Sequence, residues 1–292
     1  YNIKKSNGYL LKGIRERVEL ISRLSKEHSI KLLCKVLKVA RSTYYSILNH
    51  KASNREIENN ILKSKIFKVY CDNRKVYGSI KITRILRDNG YPKLSVNRVS
   101  RLMKQLGIRS ITIRKFKNYR NKQNEHSELK NLVNQNFSAQ KPNQIWLSDI
   151  TYIHTIKHGW TYLASVLDVC TRKIVGYSYG RKMDRSLVIS ALTNSWQNQN
   201  YPNNVILHSD RGSQYTSSEY IAAAERMGFR LSYSKKGCPF DNAPMESFHS
   251  VLKKEEVYLK HYSSFYEANI RLFDYINGFY NLNRIHSAIN YL

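Results

Sequence analysis

Residues 145–153 read Ile145-Trp146-Leu147-Ser148-Asp149-Ile150-Thr151-Tyr152-Ile153. β-Branched and aromatic types dominate, which suits a half-buried pleated strand. One carboxylate, Asp149, stands in its middle, and a charge there is costly unless it serves something. Outward from this stretch, His158-Gly159 marks a turn and Thr161 to Val169 reads as a second strand. Asp168 to Arg172 turns the chain again, and Lys173 to Tyr179 is a third strand, so the three form a meander. The period then changes. A helix spans Arg185 to Gln197, a strand Val205 to Ser209, a helix Ser218 to Met227 closed by Gly228, and a strand Phe229 to Tyr233. A loop with Gly237 and Pro239 leads to a helix from about Asn242 to Tyr258, and Phe265 to Tyr280 is a last amphipathic helix. Three antiparallel strands followed by alternating helix and strand predict an α/β core, a five-stranded mixed sheet with helices of the ribonuclease-H-like kind.

Upstream the texture is helical. Ile14, Val18, Ile21 and Leu24 recur at helical spacing, and Leu32, Leu33, Val36 and Leu37 form a second stripe. After a break at Lys38-Val39-Ala40, Ser42 is placed to cap a third helix, Thr43 to Leu48. A short turn before a helix opened by Arg41, Ser42 and Thr43 is a helix-turn-helix pattern or a plain helical hairpin. A second all-α unit follows, with Ser79 capping a helix and Val96 to Leu106 forming another that Gly107 closes. Arg98, Arg101 and Lys104 on that last helix suit either DNA phosphates or water. Arg109 to Asn124 is basic; Arg114, Lys115, Lys117 and Arg120 meet no acid there, which fits a linker tracking a DNA backbone or a solvated tether. The expected organisation is residues 1–52 helical and helix-turn-helix-like, 53–108 a second helical DNA-binding unit, 109–140 a basic linker, and 141–292 the catalytic core with its C-terminal helix.

Charge narrows the partner. Lys and Arg number 49 against 21 acidic residues, a formal net charge of +28 over 292 residues. A field of that sign calls for a polyanion, DNA or RNA before an anionic membrane. No apolar run is long enough to span a bilayer and no signal-peptide pattern appears. Cys34, Cys71, Cys170 and Cys238 are scattered, which fits a reducing compartment such as the cytoplasm, with no disulfide frame or zinc knuckle.

Phosphodiester cleavage needs an activated oxygen, a stabilised leaving oxygen and in-line geometry. Two divalent ions ~3.5–4 Å apart supply all three, and carboxylates hold them. Asp149, Asp210 in His208-Ser209-Asp210-Arg211-Gly212, and Glu246 in Asn242-Ala243-Pro244-Met245-Glu246 come from three separate elements. The first and fourth strands of such a sheet are neighbours, so the two aspartates are expected to meet at one edge. Each acid also has a plain reading: a satisfied strand acid, a turn former, a helix-dipole partner. Asp168, Asp184, Asp241, Glu255 and Glu256 are the competitors. His249, Ser250 and Lys253 follow Glu246 at +3, +4 and +7 on one helical face. His208 and Arg211 are candidate phosphate contacts, with a buried strand histidine as the alternative for His208.

These segments resemble the signatures of bacterial insertion-sequence transposases with a retroviral-integrase-type core, specifically the second-frame product of the two-frame IS3 family. Trp146 to Ile153, His208 to Tyr215 and Asn242 to Phe248 followed by Leu252-Lys253 look like its three catalytic motifs. Thirty-five residues separate Asp210 from Glu246, the family's DD(35)E spacing. Tyr275 to Asn281 with Arg284 and His286 is similar to its C-terminal signature, and Tyr77-Gly78-Ser79-Ile80-Lys81-Ile82 to its pre-core helical region. The resemblance implies a DNA transposase with Asp149, Asp210 and Glu246 as catalytic metal ligands for a pair of Mg²⁺ or Mn²⁺ ions, and Lys253 beside the substrate phosphate. It implies cleavage of transposon-end DNA, then strand transfer by 3′-hydroxyl attack. Double-stranded DNA, as terminal repeats and target, and further copies of the chain on that DNA are the implied partners. A nuclease without strand transfer and a DNA-binding transposition regulator are the alternatives. No covalent intermediate is needed, so none of the 22 tyrosines is expected to act as nucleophile.

Overall fold

The computed structural model describes residues 13–112, 129–235 and 237–291. Arg114, Lys115, Lys117 and Arg120 lie outside the described residues. Contacts divide the chain once, after Ser64, into Tyr1–Ser64 and Lys65–Leu292; the sequence reading divides it at 52, 108 and 140.

In the first unit, α1 (Ile14–Leu24), α2 (Ile30–Val36) and α3 (Arg41–Leu48) surround a small core of Val18, Ile21, Leu33, Cys34, Leu37, Val39 and Tyr44. Lys38, at φ 53°, makes the turn between α2 and α3. Ser42 does not cap α3. The Ala40 carbonyl already accepts from the Tyr44 N–H at 3.0 Å, so the helix begins at Arg41 with Ala40 as its cap and Ser42 inside the first turn. Arg41 and Ser42 are exposed.

The unit boundary falls within α4 (Asn54–Asp72). In the second unit, α5 (Ser79–Asp88) and α6 (Val96–Gln105) bury Ile82, Leu86, Val99 and Leu102. Ser95 caps α6, its Oγ accepting from the Arg98 N–H at 3.2 Å. The segment expected as a linker is packed at both described ends. Tyr70 Oη donates to the Arg109 carbonyl at 2.8 Å, and Ile111 N–H to the Lys75 carbonyl. At the other end Tyr233 N–H donates to the Lys130 carbonyl, and Leu132 N–H to Ser232 Oγ.

The sheet has strands β1 (Ile145–Thr155), β2 (Gly159–Asp168), β3 (Ile174–Gly180), β4 (Ile206–Ser209) and β5 (Arg230–Tyr233) in the order β3-β2-β1-β4-β5. β1–β2 and β2–β3 pair antiparallel; β1–β4 and β4–β5 pair parallel. This is the mixed five-stranded α/β core expected. Helices α7 (Arg185–Asn198) and α8 (Ser218–Arg226) cover one face. Trp146, Ala164, Val166, Leu192, Leu207 and Tyr215 belong to the core there. α7 lies so close to β3 that a Cβ on Gly176 would collide with the backbone of Ser195. α9 (Ala243–Glu255) packs on β1. It ends earlier than expected, giving way to a 3-10 turn over Val257–Leu259. The last helix is likewise split into α10 (Phe265–Phe273) and a π-helical stretch over Asp274–Tyr280, closed by an Asn281 N–H bond to the Ile276 carbonyl.

Two motifs far apart in the sequence meet here. Tyr77 Oη donates to the Asn283 carbonyl and accepts from the Ile285 N–H at 3.0 Å. Beside it Arg284 grips Glu255 through two bonds of 3.0 and 2.9 Å, with Tyr275 Oη donating to the same carboxylate. A bidentate pair with a third donor satisfies a carboxylate that would otherwise be costly to bury. Among the described residues, no helix is long and apolar enough to cross a membrane.

Candidate active site

Register places the two aspartates. The β1–β4 ladder ends on Ser148 opposite Ser209, so Asp149 and Asp210 are the next residues on adjoining parallel strands. Asp149 Oδ1 accepts from the Ile150 N–H at 2.7 Å. Asp210 Oδ1 accepts from the Gly212 N–H at 2.9 Å, and a Cβ at position 212 would stand 3.0 Å from that oxygen, so a side chain there would press on the carboxylate. Asp210 is exposed as a residue at the end of β4. Its carboxyl nevertheless stands above the usual carboxylate range. Desolvation by the protein on its inner side is the main cause, and the charge of Asp149 adds to it, while the Gly212 N–H works the other way.

α9 supplies the third element. Its buried side holds Met245, Phe248 and Leu252. His249 Nδ1 lies 3.4 Å from Asp149 Oδ2, which brings α9 to the strand at its His249 turn. Glu246 sits one turn before His249 and is half-buried. Lys253 sits one turn after it and lines a groove along the β1–β2 hairpin. Among the described residues, no three His, Cys, Asp or Glu side chains stand close enough together to form a ready-made metal site.

The competing acids are occupied otherwise. Asp168 is fully buried and accepts from the Asn143 N–H, the Thr171 N–H and Thr171 Oγ1, fastening the β2–β3 turn. Asp184 caps α7 through the Leu187 N–H. Asp241 is buried and accepts from Asn131, Gln135 and the Lys235 N–H, each at 2.8 Å. Burial pushes its pKa upward, but those donors hold it below the usual value. Glu256 is gripped by Lys260 at 2.6 Å, with Arg74 at 3.5 Å.

One expected DNA contact needs correction. His208 is completely buried, its ring nitrogens bonded to Ser232 Oγ at 2.8 Å and Ser234 Oγ at 3.0 Å. Burial lowers its pKa to about 4, so it is neutral and sealed away from any phosphate. Arg211 is half-buried and donates to the Ser234 carbonyl at 2.8 Å and the Leu129 carbonyl at 3.4 Å, tying two other segments to the loop after β4. On α6, Arg101 and Lys104 are exposed and Arg98 half-buried, opposite Val99, Leu102 and Met103.

Three supports were not legible as such. His249 appears in the sequence only as a neighbour of Glu246 on its helix face, and nothing local shows that it reaches Asp149. Ser148 Oγ donates to Tyr215 Oη at 3.1 Å, joining the start of the first motif to the end of the second. The Tyr215 ring is buried in the core, which raises its phenol well above the usual range and keeps it neutral. Asn242 Nδ2 donates to the Ser148 carbonyl at 3.4 Å, fixing the start of α9 to the strand that carries Asp149.

Profiles of the integrase core domain match residues 139–239 and 227–292, and that of an HTH-like domain matches residues 56–116. The chain is 38% identical over 245 residues to the transposase for insertion sequence element IS904 of Lactococcus lactis, covering 84% of this chain and 96% of that protein. It is 36% identical over 269 residues to transposase InsF for insertion sequence IS3A of Escherichia coli, covering 91% and 93% respectively. Among solved structures, a chain of the simian T-cell lymphotropic virus intasome in complex with PP2A regulatory subunit B56 gamma superposes with a TM-score of 0.43 at 15% identity, over 76% of this chain and 70% of that one.

Proposed function

Because the chain belongs to the IS3 family of insertion-sequence transposases, we propose that Asp149, Asp210 and Glu246 are the carboxylates on which its DNA cutting and joining depend. The observation that carries this reading is the β1–β4 register, which makes Asp149 and Asp210 adjacent at one sheet edge, with α9 reaching Asp149 from above through His249.

The donor set suits hard divalent cations, Mg²⁺ or Mn²⁺. Two like-charged carboxylates side by side, one with a raised pKa, make an all-oxygen donor pair that a hard cation would stabilise. Asp149 and Asp210 would hold a cation pair, and Glu246 would join them from α9. When bound, such a pair activates the attacking oxygen and stabilises the leaving one in an in-line displacement. The protein's own part is positional. His249 orients the Asp149 carboxylate, and Gly212 leaves space for that of Asp210. Lys253, about 10 Å along α9 from Glu246, meets the phosphate beside them. The same placement serves cleavage by water and the later attack of a DNA 3′-hydroxyl on a second phosphodiester. Tyr215, buried and neutral, takes no covalent role.

The exposed basic face of α6, with Arg98, Arg101 and Lys104, and the start of α3, with Arg41, Ser42 and Thr43, grip transposon-end DNA through its phosphates. Terminal repeats and target meet on an assembly of several copies, in the bacterial cytoplasm. Labelled transposon-end duplex with Mg²⁺ or Mn²⁺ tests the site. Asp149→Asn, Asp210→Asn and Glu246→Gln are each expected to lower cleavage and joining by about 10²–10³-fold or more while DNA retention stays unchanged. Full activity in any one of them removes that residue from the site.

A further inference from the structure

β1 has an open stretch of edge beside the candidate site. β4 pairs with it only as far as Ser148, and the next partner on that side is Tyr262, opposite Thr155. Among the described residues, nothing in the ladders pairs with the edge between them. Along this gap runs a groove of ≈ 650 Å³, a size typical of small-ligand pockets. Its floor is one face of the β1–β2 hairpin. Tyr152 stands opposite Tyr162, and His154 opposite Trp160. Lys253 and Lys260 line it from the far side.

The aromatic rings are open to solvent: Trp160 is 60% exposed and Tyr152 48%. They meet edge to face, Tyr152 against Trp160 at 90° and Tyr152 against Tyr162 at 67°. An edge-to-face contact covers only one face of the receiving ring, and the exposure of Trp160 and Tyr152 leaves ring surface open to a flat partner. The adjoining segment 257–262 carries no acid, and Glu256 just before it is buried and paired with Lys260. A surface of exposed aromatic rings bordered by Lys253 complements a ligand with a flat π-system and a phosphate. Bases inside a duplex have both faces covered by their neighbours, whereas an unpaired nucleotide offers its own.

We propose that this groove binds unpaired nucleotides of the DNA strand that enters the active site, with bases stacked on Trp160 and Tyr152 and the backbone led past Lys253. Tyr152 lies three residues beyond Asp149, about 10 Å along the strand and on its other face; what joins the groove to the site is Lys253, which lines it from the helix that also carries Glu246. The proposal rests on the carboxylate reading above for its direction.

The test uses the full chain and a short single-stranded oligonucleotide carrying 2-aminopurine, whose fluorescence reports stacking, alongside a blunt duplex of the same sequence. Trp160→Ala and Tyr152→Ala are each expected to weaken single-strand binding about five- to a hundredfold and to relieve the 2-aminopurine quenching. Trp160→Phe keeps a ring and is expected to retain both, and duplex affinity is expected to stay at the wild-type value. Single-strand binding unchanged in the double alanine variant overturns the proposal. So does an equal loss for duplex, or a change of oligomeric state in place of a binding defect. Asp149→Asn separates the two readings, since it tests the carboxylates by cleavage and leaves the groove intact.

Discussion

Asp149 and Asp210 carry like charge on neighbouring strands, and His249 is the one basic side chain paired with either by a short contact among those described above. A carboxylate whose folded pKa is raised is penalised when ionised. Its contribution to stability is complete below the ordinary carboxylate pKa and is lost as pH rises through the raised value. Once ionised, Asp210 bears the cost of desolvation with the Asp149 charge added to it. Asp210→Asn is expected to raise Tm in the presence of chelator, and a fall there would contradict the assignment. In the wild type, a cation at a hundredfold excess over its Kd adds ~2.7 kcal/mol, roughly 5–10 °C in Tm for a unit of this size. Asp210→Asn is expected to lose most of that gain. The aspartates were readable in the sequence because a charge inside an apolar strand has few cheap explanations. The role of His208 was not, because an exposed strand-end histidine and a sealed one look alike until Ser232 and Ser234 are seen to close over it.

At the scale of elements, the site depends on how closely helices approach the sheet. Gly176 on β3 admits the Ser195 turn of α7 without clearance for a methyl group. Backbone, rather than a flexible side-chain tip, is what an added Cβ would strike. Gly176→Ala is expected to destabilise the core by about 1–3 kcal/mol, read as a lower denaturation midpoint with unchanged m-value. Wild-type stability in that variant would show that α7 shifts freely. Strand identities and order were legible from period and turn residues, with ends moved by a residue or two. Less legible were the breaks after Glu255 and Phe273, where one continuous apolar stripe conceals a change of helix type. Periodicity records which face is buried, and a 3-10 or π turn that keeps the same residues inside leaves that record almost unaltered.

Across the molecule, the pre-core and C-terminal motifs form one buried polar cluster around Glu255. His286 lies in it, receiving a bond from Arg284 Nη1 at 3.4 Å. Burial first, then the Arg284 charge, lowers its pKa to about 4. Below about 6.5 the unfolded chain binds a proton that the folded chain refuses until about 4, so stability is complete above pH 6.5 and declines as pH falls through that window. Tm is expected to drop between pH 7 and pH 5, and His286→Asn to flatten that slope; an equal slope in the variant would place the acid sensitivity elsewhere. The sequence alone determined the strand and helix order, the basic field of +28 and the acids worth testing, because burial period, charge and spacing are properties of the chain itself. Only the tertiary structure decided which acids are spent on structural bonds and which stand together at the sheet edge. It also decided that His208 faces inward, and that Tyr77 meets Arg284's neighbours. Those outcomes depend on which groups, distant in sequence, come within hydrogen-bond range, and a local pattern carries no record of that.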